Sequence, residues 1–168
     1  MMTFHELNLL PLEALKKQLF KCCGSHRWVE KMLPFFPMED LVELLDDAEE
    51  QWYECTDADW KEAFGNHPKI GDTHSLQKKF AGTAAWSAGE QSNVAEAPAE
   101  LLQSLSKGNE LYEQKFGFNF IISATGKPAA EILESLQARL QNEPSKEIQL
   151  AAEEQVKIMQ LRIQKLLL

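Results

Sequence analysis

Residues 99–116, AELLQSLSKGNELYEQKF, lie between Pro98 and Gly117 and decide the fold class. Proline fits the first turn of a helix, where its missing N–H costs nothing, and glycine often ends a helix by taking a left-handed conformation. The stretch therefore predicts one long helix between Pro98 and Gly117. Similar helix-starting and helix-ending residues recur along most of the chain.

Helical spacing of apolar residues and residues suited to helix ends predict further helices. Ser25, Thr56 with Asp59, and Asp72 or Thr73 are typical N-caps. The predicted helices cover residues 12–23, 26–33, 38–54, 59–64, 75–81, 99–116, 128–140 and 145–168, with a further turn at Ser87 and Glu90. The sequence thus predicts an all-α, single-domain helical bundle of about seven to nine helices over residues 1–168.

Residues 118–125, FNFIISAT, are the one stretch with β character, and they follow Gly117 and precede Gly126. Three phenylalanines stand at alternate positions from residue 116 and are followed by two isoleucines. A single such stretch cannot form a sheet of any size, so we expect a short extended link between helices. It is either a plain core segment or a segment whose backbone groups bind the polar edge of a flat ligand.

Composition limits the classes of function. The chain has 168 residues, of which 44% are hydrophobic and 26% charged, as in a globular protein with a core of its own. Its formal net charge is −9, and its densest basic cluster is Lys16, Lys17 and Lys21, which argues against a nucleic-acid partner. An anionic small molecule would need a locally positive pocket.

Three cysteines, Cys22, Cys23 and Cys55, are too few and too poorly spaced for a disulfide framework. Buried free thiols in a reducing compartment are the better interpretation. The sequence has no signal-peptide pattern at its start and no run long enough to span a membrane. We therefore expect a cytoplasmic protein that does not bind membranes.

Residues 65–72, GNHPKIGD, place a histidine directly before a proline. Pro68 keeps His67 out of helical geometry, and Gly71 permits a tight turn, so we expect a shaped loop. Rigidly held loops often carry catalytic groups, and imidazole titrates near neutral pH, as acid–base chemistry requires. A purely structural histidine is the competing interpretation.

A metal site is a second interpretation of the same region. His67, Asp72, His74 and Glu90 could supply ligands. Their spacing matches neither HExxH nor another recognised metal signature. We therefore expect no metal.

Residues 86–91, WSAGEQ, support two interpretations. Ser87 and Glu90 stand at the spacing of a capping box, which alone would explain both. The helix N-terminus that this implies would also offer free N–H groups to an anionic or carbonyl-bearing ligand. Gln91 adds a side chain that both donates and accepts.

Arg162 lies at the edge of the apolar stripe of the last helix, whereas Lys157 and Lys165 look like ordinary solvated charges. Its guanidinium either snorkels to solvent or reaches into a polar cavity. The planar fork suits a carboxylate or a ureido oxygen. The leucines at the C-terminus belong either to the core or to a homodimer contact.

Four segments in this order resemble one known family. HPKIGD, SAGEQ, FGFNFIISATGK and LRIQKLL are similar to the HPxIG, SxxEQ, FGFxFII…GK and LRLxKL segments of the 2-oxo-4-hydroxy-4-carboxy-5-ureidoimidazoline (OHCU) decarboxylases of urate breakdown. The resemblance covers essentially the whole chain. Asn119, Ser123 and Ala124 lie in a variable part of the third motif.

The resemblance implies an all-helical carboxy-lyase without a cofactor that converts the ureidoimidazoline to (S)-allantoin. It implies that His67 is the acid–base residue, with Glu90 and Arg162 beside it. The residues implied to hold the substrate are Pro68, Ser87, Ala88, Gly89, Gln91, Phe120, Ile121, Ile122, Ser123 and Ala124. Two alternatives remain, namely a non-catalytic helical interaction module and a metal-dependent amidohydrolase of ureido compounds.

Overall fold

The computed structural model describes residues 2–72 and 83–167, and the predicted all-α fold class is confirmed. Within those ranges there are ten α-helices, one 3-10 turn and no β-strand. The helices are α1 Phe4–Asn8, α2 Leu12–Cys23, α3 His26–Met32, α4 Leu41–Tyr53, α5 Asp57–Gly65, α6 Ala84–Glu90, α7 Ser92–Ala95, α8 Ala99–Phe116, α9 Ala129–Arg139 and α10 Pro144–Leu167. The 3-10 turn is Leu33–Phe35.

Several helix ends lie where the capping residues predict them. Gly24 and Gly117 end α2 and α8 in left-handed conformations, with φ of 85° and 78°. The Ser25 hydroxyl accepts a hydrogen bond from the Trp28 amide at 3.3 Å. Thr56 and Asp59 form the predicted reciprocal contacts at the start of α5.

The described residues contain slightly more helices than the seven to nine expected, because two short helices, α1 and α7, were not predicted. Helix α1 has five residues and begins with a capping box between Thr3 and Glu6. Helix α7 has four residues and follows α6 after Gln91. The helix predicted over residues 75–81 lies outside the described residues.

The chain forms two compact units. The first contains Met1–Ala63 and Gln155–Leu168, and the second contains Phe64–Glu154. The division falls inside α5 and inside α10. The expectation of a single domain over residues 1–168 stays a prediction.

Large side chains fill each unit. In the first unit Trp28, Trp52 and Met159 are fully buried. In the second unit Gly108 lets α8 approach α9 closely, since a Cβ there would lie 2.5 Å from Leu136 Cδ2. Among the described residues, all three cysteines are free and buried, as predicted.

The link, defined as residues 118–125, contains neither helix nor strand, as predicted. The phenylalanines at alternate positions surround one ring. The Tyr112 ring centroid lies 4.6 Å from that of Phe116, 5.7 Å from that of Phe118 and 5.2 Å from that of Phe120. The link therefore has the role of a core segment, whatever else it does.

None of the described helices is both long and apolar enough to cross a bilayer.

Candidate active site

His67 lies in the loop that follows α5, and we call residues 66–72 the His67 loop. The His67 amide donates to the Phe64 carbonyl at 3.2 Å, which closes the end of the helix. His67 is 6% exposed, and Pro68 beside it is also buried. The predicted shaped loop is therefore present, and it keeps an ionisable ring in the interior of the second unit.

One side chain of the link holds the start of this loop. The Asn119 Nδ2 atom donates to the Phe64 carbonyl and to the His67 carbonyl, both at 3.2 Å. The backbone of His67 is thus fixed directly to the link. Sequence reasoning assigned no role to Asn119, because a lone asparagine in a variable part of the motif carries no signal of its own.

Two more carboxamides hold the far end of the loop. Asn109 of α8 donates from Nδ2 to the Ile70 carbonyl at 3.0 Å. The Gly71 amide donates to Gln91 Oε1 at 3.0 Å. Gly71 has a φ of 84°, which a residue with a side chain rarely adopts. Three neutral amide groups from three parts of the chain therefore determine the path of the His67 loop.

The structure corrects both interpretations of WSAGEQ. Ser87 and Glu90 are not a capping box at a helix start, because α6 begins at Ala84 with Thr83 as its N-cap. The Ser87 amide already donates to the Thr83 carbonyl at 3.0 Å. Glu90 is the last residue of α6, so the segment is a helix C-terminus without the free N–H groups expected. The same three-residue spacing occurs inside helices, where it makes no cap.

Helical geometry nevertheless divides SAGEQ into two faces. Ser87, Glu90 and Gln91 are buried, whereas Ala88 and Gly89 are exposed. Positions i, i+3 and i+4 lie on one face of a helix. The inner face of α6 therefore carries a hydroxyl, a carboxyl and a carboxamide, and Gln91 connects this face to the His67 loop.

Two side chains anchor the link through its backbone. Arg139 donates from Nη1 to the Ile121 carbonyl at 2.6 Å. Glu154 accepts from the Ser123 amide at 2.7 Å. In the described part of the chain, the backbone N–H and C=O groups of Phe120 and Ile122 have no hydrogen-bond partner. Since both residues are buried, these groups are well suited to a polar ligand.

Arg139 is itself held by a buried acidic residue. Its Nη2 atom lies 2.5 Å from Glu147 Oε1, and Glu147 is fully buried. Glu147 also accepts from the Tyr112 hydroxyl at 2.6 Å and from Asn142 Nδ2 at 3.0 Å. The Arg139 guanidinium carbon lies 4.6 Å from the centre of the Phe120 ring. This ionic cluster, which we define as Arg139, Glu147, Tyr112 and Asn142, fixes the middle of the link.

Burial raises the pKa of the Tyr112 phenol, and the Arg139 charge opposes that effect. The phenol therefore stays protonated and acts as a donor to Glu147. Residues 112, 139, 142 and 147 match no local motif, so sequence reasoning missed the cluster. The only available signal was an arginine at the C-terminus of a predicted helix, where a basic residue is ordinary.

Arg162 belongs to the first unit, whereas His67, Glu90 and the link belong to the second. Arg162 is 2% exposed, so its guanidinium does not snorkel to solvent. Its Nη1 atom donates to the Lys21 carbonyl at 3.3 Å, near the C-terminus of α2. Gln155, two turns earlier in α10, donates in the same way to the Cys23 carbonyl at 3.1 Å. Lys157 and Lys165 are exposed, as predicted.

Burial raises the pKa of the Cys22 thiol to about 12, although the Arg162 charge partly offsets this. The thiol is therefore protonated and inert at neutral pH. Over residues 2–72 and 83–167 no group of three or more His, Cys, Asp or Glu side chains could hold a metal ion. His74, one of the four candidate ligands, lies outside the described residues.

Three of the four motif segments thus come together in the second unit. Hydrogen bonds join the His67 loop to Gln91 of SAGEQ and to Asn119 of the link. The fourth segment contributes the buried guanidinium of Arg162 to the first unit. The second unit combines a buried imidazole, a buried carboxyl and, in the described part of the chain, buried backbone groups without a hydrogen-bond partner.

Comparison with known proteins points to the same family that the four motif segments resemble. The family model of OHCU decarboxylase matches residues 8–164. The chain is similar to a solved structure, the crystal structure of OHCU decarboxylase in the presence of (S)-allantoin. The identity is 38% and the TM-score 0.75, with 89% of this chain and 97% of that chain covered.

Two curated relatives give further similarity. The uric acid degradation bifunctional protein TTL of Arabidopsis thaliana is 41% identical over 149 residues, which are 86% of this chain and 45% of the relative. The 2-oxo-4-hydroxy-4-carboxy-5-ureidoimidazoline decarboxylase of Amia calva is 47% identical over 60 residues, which are 36% of this chain and 34% of the relative. The chain spans less than half of the length of these relatives. Because the family model covers nearly all of it, the chain belongs to the OHCU decarboxylase family.

Proposed function

We propose that this protein is a carboxy-lyase that decarboxylates 2-oxo-4-hydroxy-4-carboxy-5-ureidoimidazoline to (S)-allantoin in urate catabolism. The observation that carries the proposal is His67, a buried imidazole in a loop that hydrogen bonds tie to two other motif segments. Membership of the family supports the choice of substrate. Neither the interaction module nor the amidohydrolase is favoured by any feature of the described residues.

The reaction needs few tools. The bond to the carboxylate breaks, CO2 leaves, and the substrate's own imine accepts the electron pair, so neither pyridoxal nor thiamine is required. The carbon then gains one proton on one face. The protein must orient the carboxylate, stabilise the developing negative charge and deliver that proton.

We assign the catalytic roles to three residues. His67 delivers the proton, because imidazole exchanges protons near neutral pH. Arg162 binds the substrate carboxylate through its planar fork. Glu90 hydrogen-bonds either the substrate hydroxyl or His67, and in the second case it sets the tautomer of the ring.

The remaining residues bind the ring and its ureido arm. Gly71 engages Gln91 Oε1, so we assign the Gln91 Nε2 group to the substrate. The unpartnered backbone groups of Phe120 and Ile122 fit the polar edge of a flat heterocycle, and their side chains cover its faces. The full set of proposed binding residues is Pro68, Ser87, Ala88, Gly89, Gln91, Phe120, Ile121, Ile122, Ser123 and Ala124. Ala88 and Gly89 are exposed and would contribute backbone groups only.

The wider setting is also a proposal. We place the protein in the cytoplasm, with the anionic ureidoimidazoline as its partner and without nucleic acid or membrane. A homodimer through the C-terminal leucines stays a prediction. Leu166 and Leu167 are half-buried in the single chain.

The test follows allantoin by circular dichroism while the substrate is generated from urate by an oxidase and a hydrolase. The substrate decays unaided to racemic allantoin, so an optical signal reports enzymatic turnover. We expect a fast signal from the wild type and from His5→Ala, an exposed histidine, and its loss in His67→Ala.

Two outcomes would contradict the proposal. Folded wild-type protein that gives no optical signal would exclude the decarboxylase. Activity that chelators abolish, together with stoichiometric zinc or manganese in pure protein, would favour the metal-dependent amidohydrolase instead.

A further inference from the structure

We propose that Asn119 is a positioning residue that fixes the imidazole of His67 relative to the link. The inference rests on the proposed function, because it concerns the geometry in which His67 would deliver its proton. Asn119 acts through the backbone of His67, whose carbonyl it contacts.

The geometry uses both hydrogens of one amide group. Asn119 Nδ2 donates to the Phe64 and His67 carbonyls, each at 3.2 Å. A carboxamide carries two N–H donors, so one side chain can satisfy both acceptors at once. The Phe64 carbonyl is in the last turn of α5 and also accepts from the His67 amide at 3.2 Å. One hydrogen bond from Asn119 therefore reinforces a helix end, and the other holds the candidate acid–base residue.

The hydrogen bond from Asn119 to the His67 carbonyl matters because of where Asn119 lies in the link. Asn119 directly precedes Phe120, whose backbone groups and ring we assign to the substrate. The carbonyl of the next residue, Ile121, is fixed at 2.6 Å by Arg139. The link is therefore anchored immediately after Asn119, and Asn119 carries that fixed position across to His67. One side chain sets the distance between the proton donor and the segment that binds the ring.

Catalysis is sensitive to such a distance. A displacement of about 1 Å in a group that must meet a reacting atom can cost on the order of 100-fold in rate. Substrate binding depends less on where His67 points, because the link and the inner face of α6 stay in place. Loss of Asn119 should therefore lower kcat and leave KM nearly unchanged.

The experiment compares Asn119→Ala with Asn8→Ala. Asn8 is a matched control, since its half-buried carboxamide also donates to a backbone carbonyl, that of Met38 at 2.8 Å, but belongs to the first unit, whereas the His67 loop belongs to the second. We expect Asn119→Ala to lower kcat by about tenfold or more, with KM within about twofold of the wild type. We expect Asn8→Ala to keep kcat within about twofold, even if its thermal midpoint falls as far.

Two further variants test the donor hydrogens of Asn119 and provide a substitute if Asn119→Ala does not fold. Asn119→Asp keeps the shape but, when ionised, has no hydrogen to donate and faces two carbonyl oxygens. It should lower kcat more than Asn119→Ala does. Asn119→Ser, with one short donor, replaces Asn119→Ala if the latter does not fold.

The second readout does not depend on turnover. The chain has four histidines, and the ring signal of His67 in an NMR spectrum is assigned by its absence in His67→Ala. We expect Asn119→Ala to shift or split that signal, while Asn8→Ala leaves it in place. If the wild type proves inactive, the proposed function fails, but this readout still decides whether Asn119 fixes His67.

Three results would overturn the inference. Asn119→Ala could lose thermal stability with kcat within twofold, which would reduce Asn119 to a helix cap. A raised KM with unchanged kcat would make it a binding residue. An unmoved His67 signal would show that the ring is fixed by other groups.

Discussion

The His67 loop and the link lie in the same unit, yet different chemistry holds each of them. Three neutral carboxamides hold the loop, those of Asn119, Asn109 and Gln91. A buried ion pair holds the middle of the link, with Arg139 on its backbone and Glu147 behind it. The buried contacts of the loop are neutral, and its ion pair, between Lys69 and Glu113, is half exposed, whereas the link depends on a buried ion pair.

The difference follows from what each region is proposed to do. An ionised side chain beside an acid–base imidazole shifts the pKa of that imidazole, whereas a carboxamide fixes a backbone and adds no net charge. The link transfers no proton in the proposed reaction, so a guanidinium can stack on the Phe120 ring and bind the next carbonyl. Neutral contacts suit the group that titrates, and strong ionic contacts suit the segment that must stay still.

The largest expected effect comes from Glu147→Ala. The change leaves the Arg139 guanidinium, whose side chain is only 11% exposed, without its carboxylate. Removing one partner of a buried pair typically costs about 3–5 kcal/mol, because the other charge stays buried. We expect a loss of that size in the free energy of unfolding, measured by urea titration.

The matched control for that variant is Glu113→Ala. Glu113 lies 2.5 Å from Lys69, but both side chains are close to half exposed. An exposed pair contributes about 0–1 kcal/mol. Equal losses from the two glutamates would show that the ionic cluster holds the link no more firmly than a surface pair would.

The sequence predicts most of the fold because the signals for helix ends are local. Pro98 and Gly117 bound α8, and Thr56 with Asp59 begins α5, as expected. The one clear error, at Ser87 and Glu90, has the same origin. Ala84, Ala85 and Trp86 extend the helix upstream, and a three-residue spacing cannot tell an N-cap from a helix interior.

The supports of the candidate site could not be predicted, because they join residues that are distant in the sequence. Asn119 contacts a residue 52 positions away, and Tyr112 contacts one 35 positions away. Each is a common residue type in an unremarkable context. His67 could be found because Pro68 beside it shapes the backbone locally, whereas Asn119 gains its role only when the chain has folded.

Tyr112→Phe should have an intermediate effect, since it removes one donor from the buried Glu147 carboxylate. Losing a hydrogen bond to a buried group costs about 1–3 kcal/mol. We expect a loss of that size at pH 7, measured by the same urea titration. If the loss is close to zero, the Tyr112 hydroxyl does not contribute to holding the link.

Tyr112→Phe should also change how the free energy of unfolding depends on pH under alkaline conditions. Burial raises the pKa of Tyr112 above its ordinary value in the folded protein. Above about pH 10 the unfolded chain loses this proton while the folded chain keeps it, so wild-type stability falls as the pH rises. In Tyr112→Phe that fall should be shallower, and buried thiols such as Cys22 should account for part of what remains.

The smallest expected effect on stability comes from alanine at two glycines, Gly71 in the loop and Gly117 next to the link. This pair of changes compares the two regions most directly. Gly71 in the loop and Gly117 before the link have similar φ values, 84° and 78°. A Cβ at Gly71 would meet its nearest neighbours at 3.8 Å, and one at Gly117 would meet nothing within 4 Å. Alanine at either position should therefore lower the free energy of unfolding by roughly 1–2 kcal/mol, mainly because it must adopt a left-handed backbone conformation.

Their effects on activity should differ because only Gly71 is tied to Gln91. In Gly71→Ala the backbone would shift to relieve the left-handed conformation. The shift would move the residue 71 amide, which donates a hydrogen bond to Gln91 Oε1, and would disturb the His67 loop. We expect kcat, measured by the appearance of (S)-allantoin, to fall severalfold in Gly71→Ala and to stay near wild type in Gly117→Ala. Equal activities would mean that the loop tolerates the displacement, and the contrast between a finely positioned loop and a rigid link would then be lost.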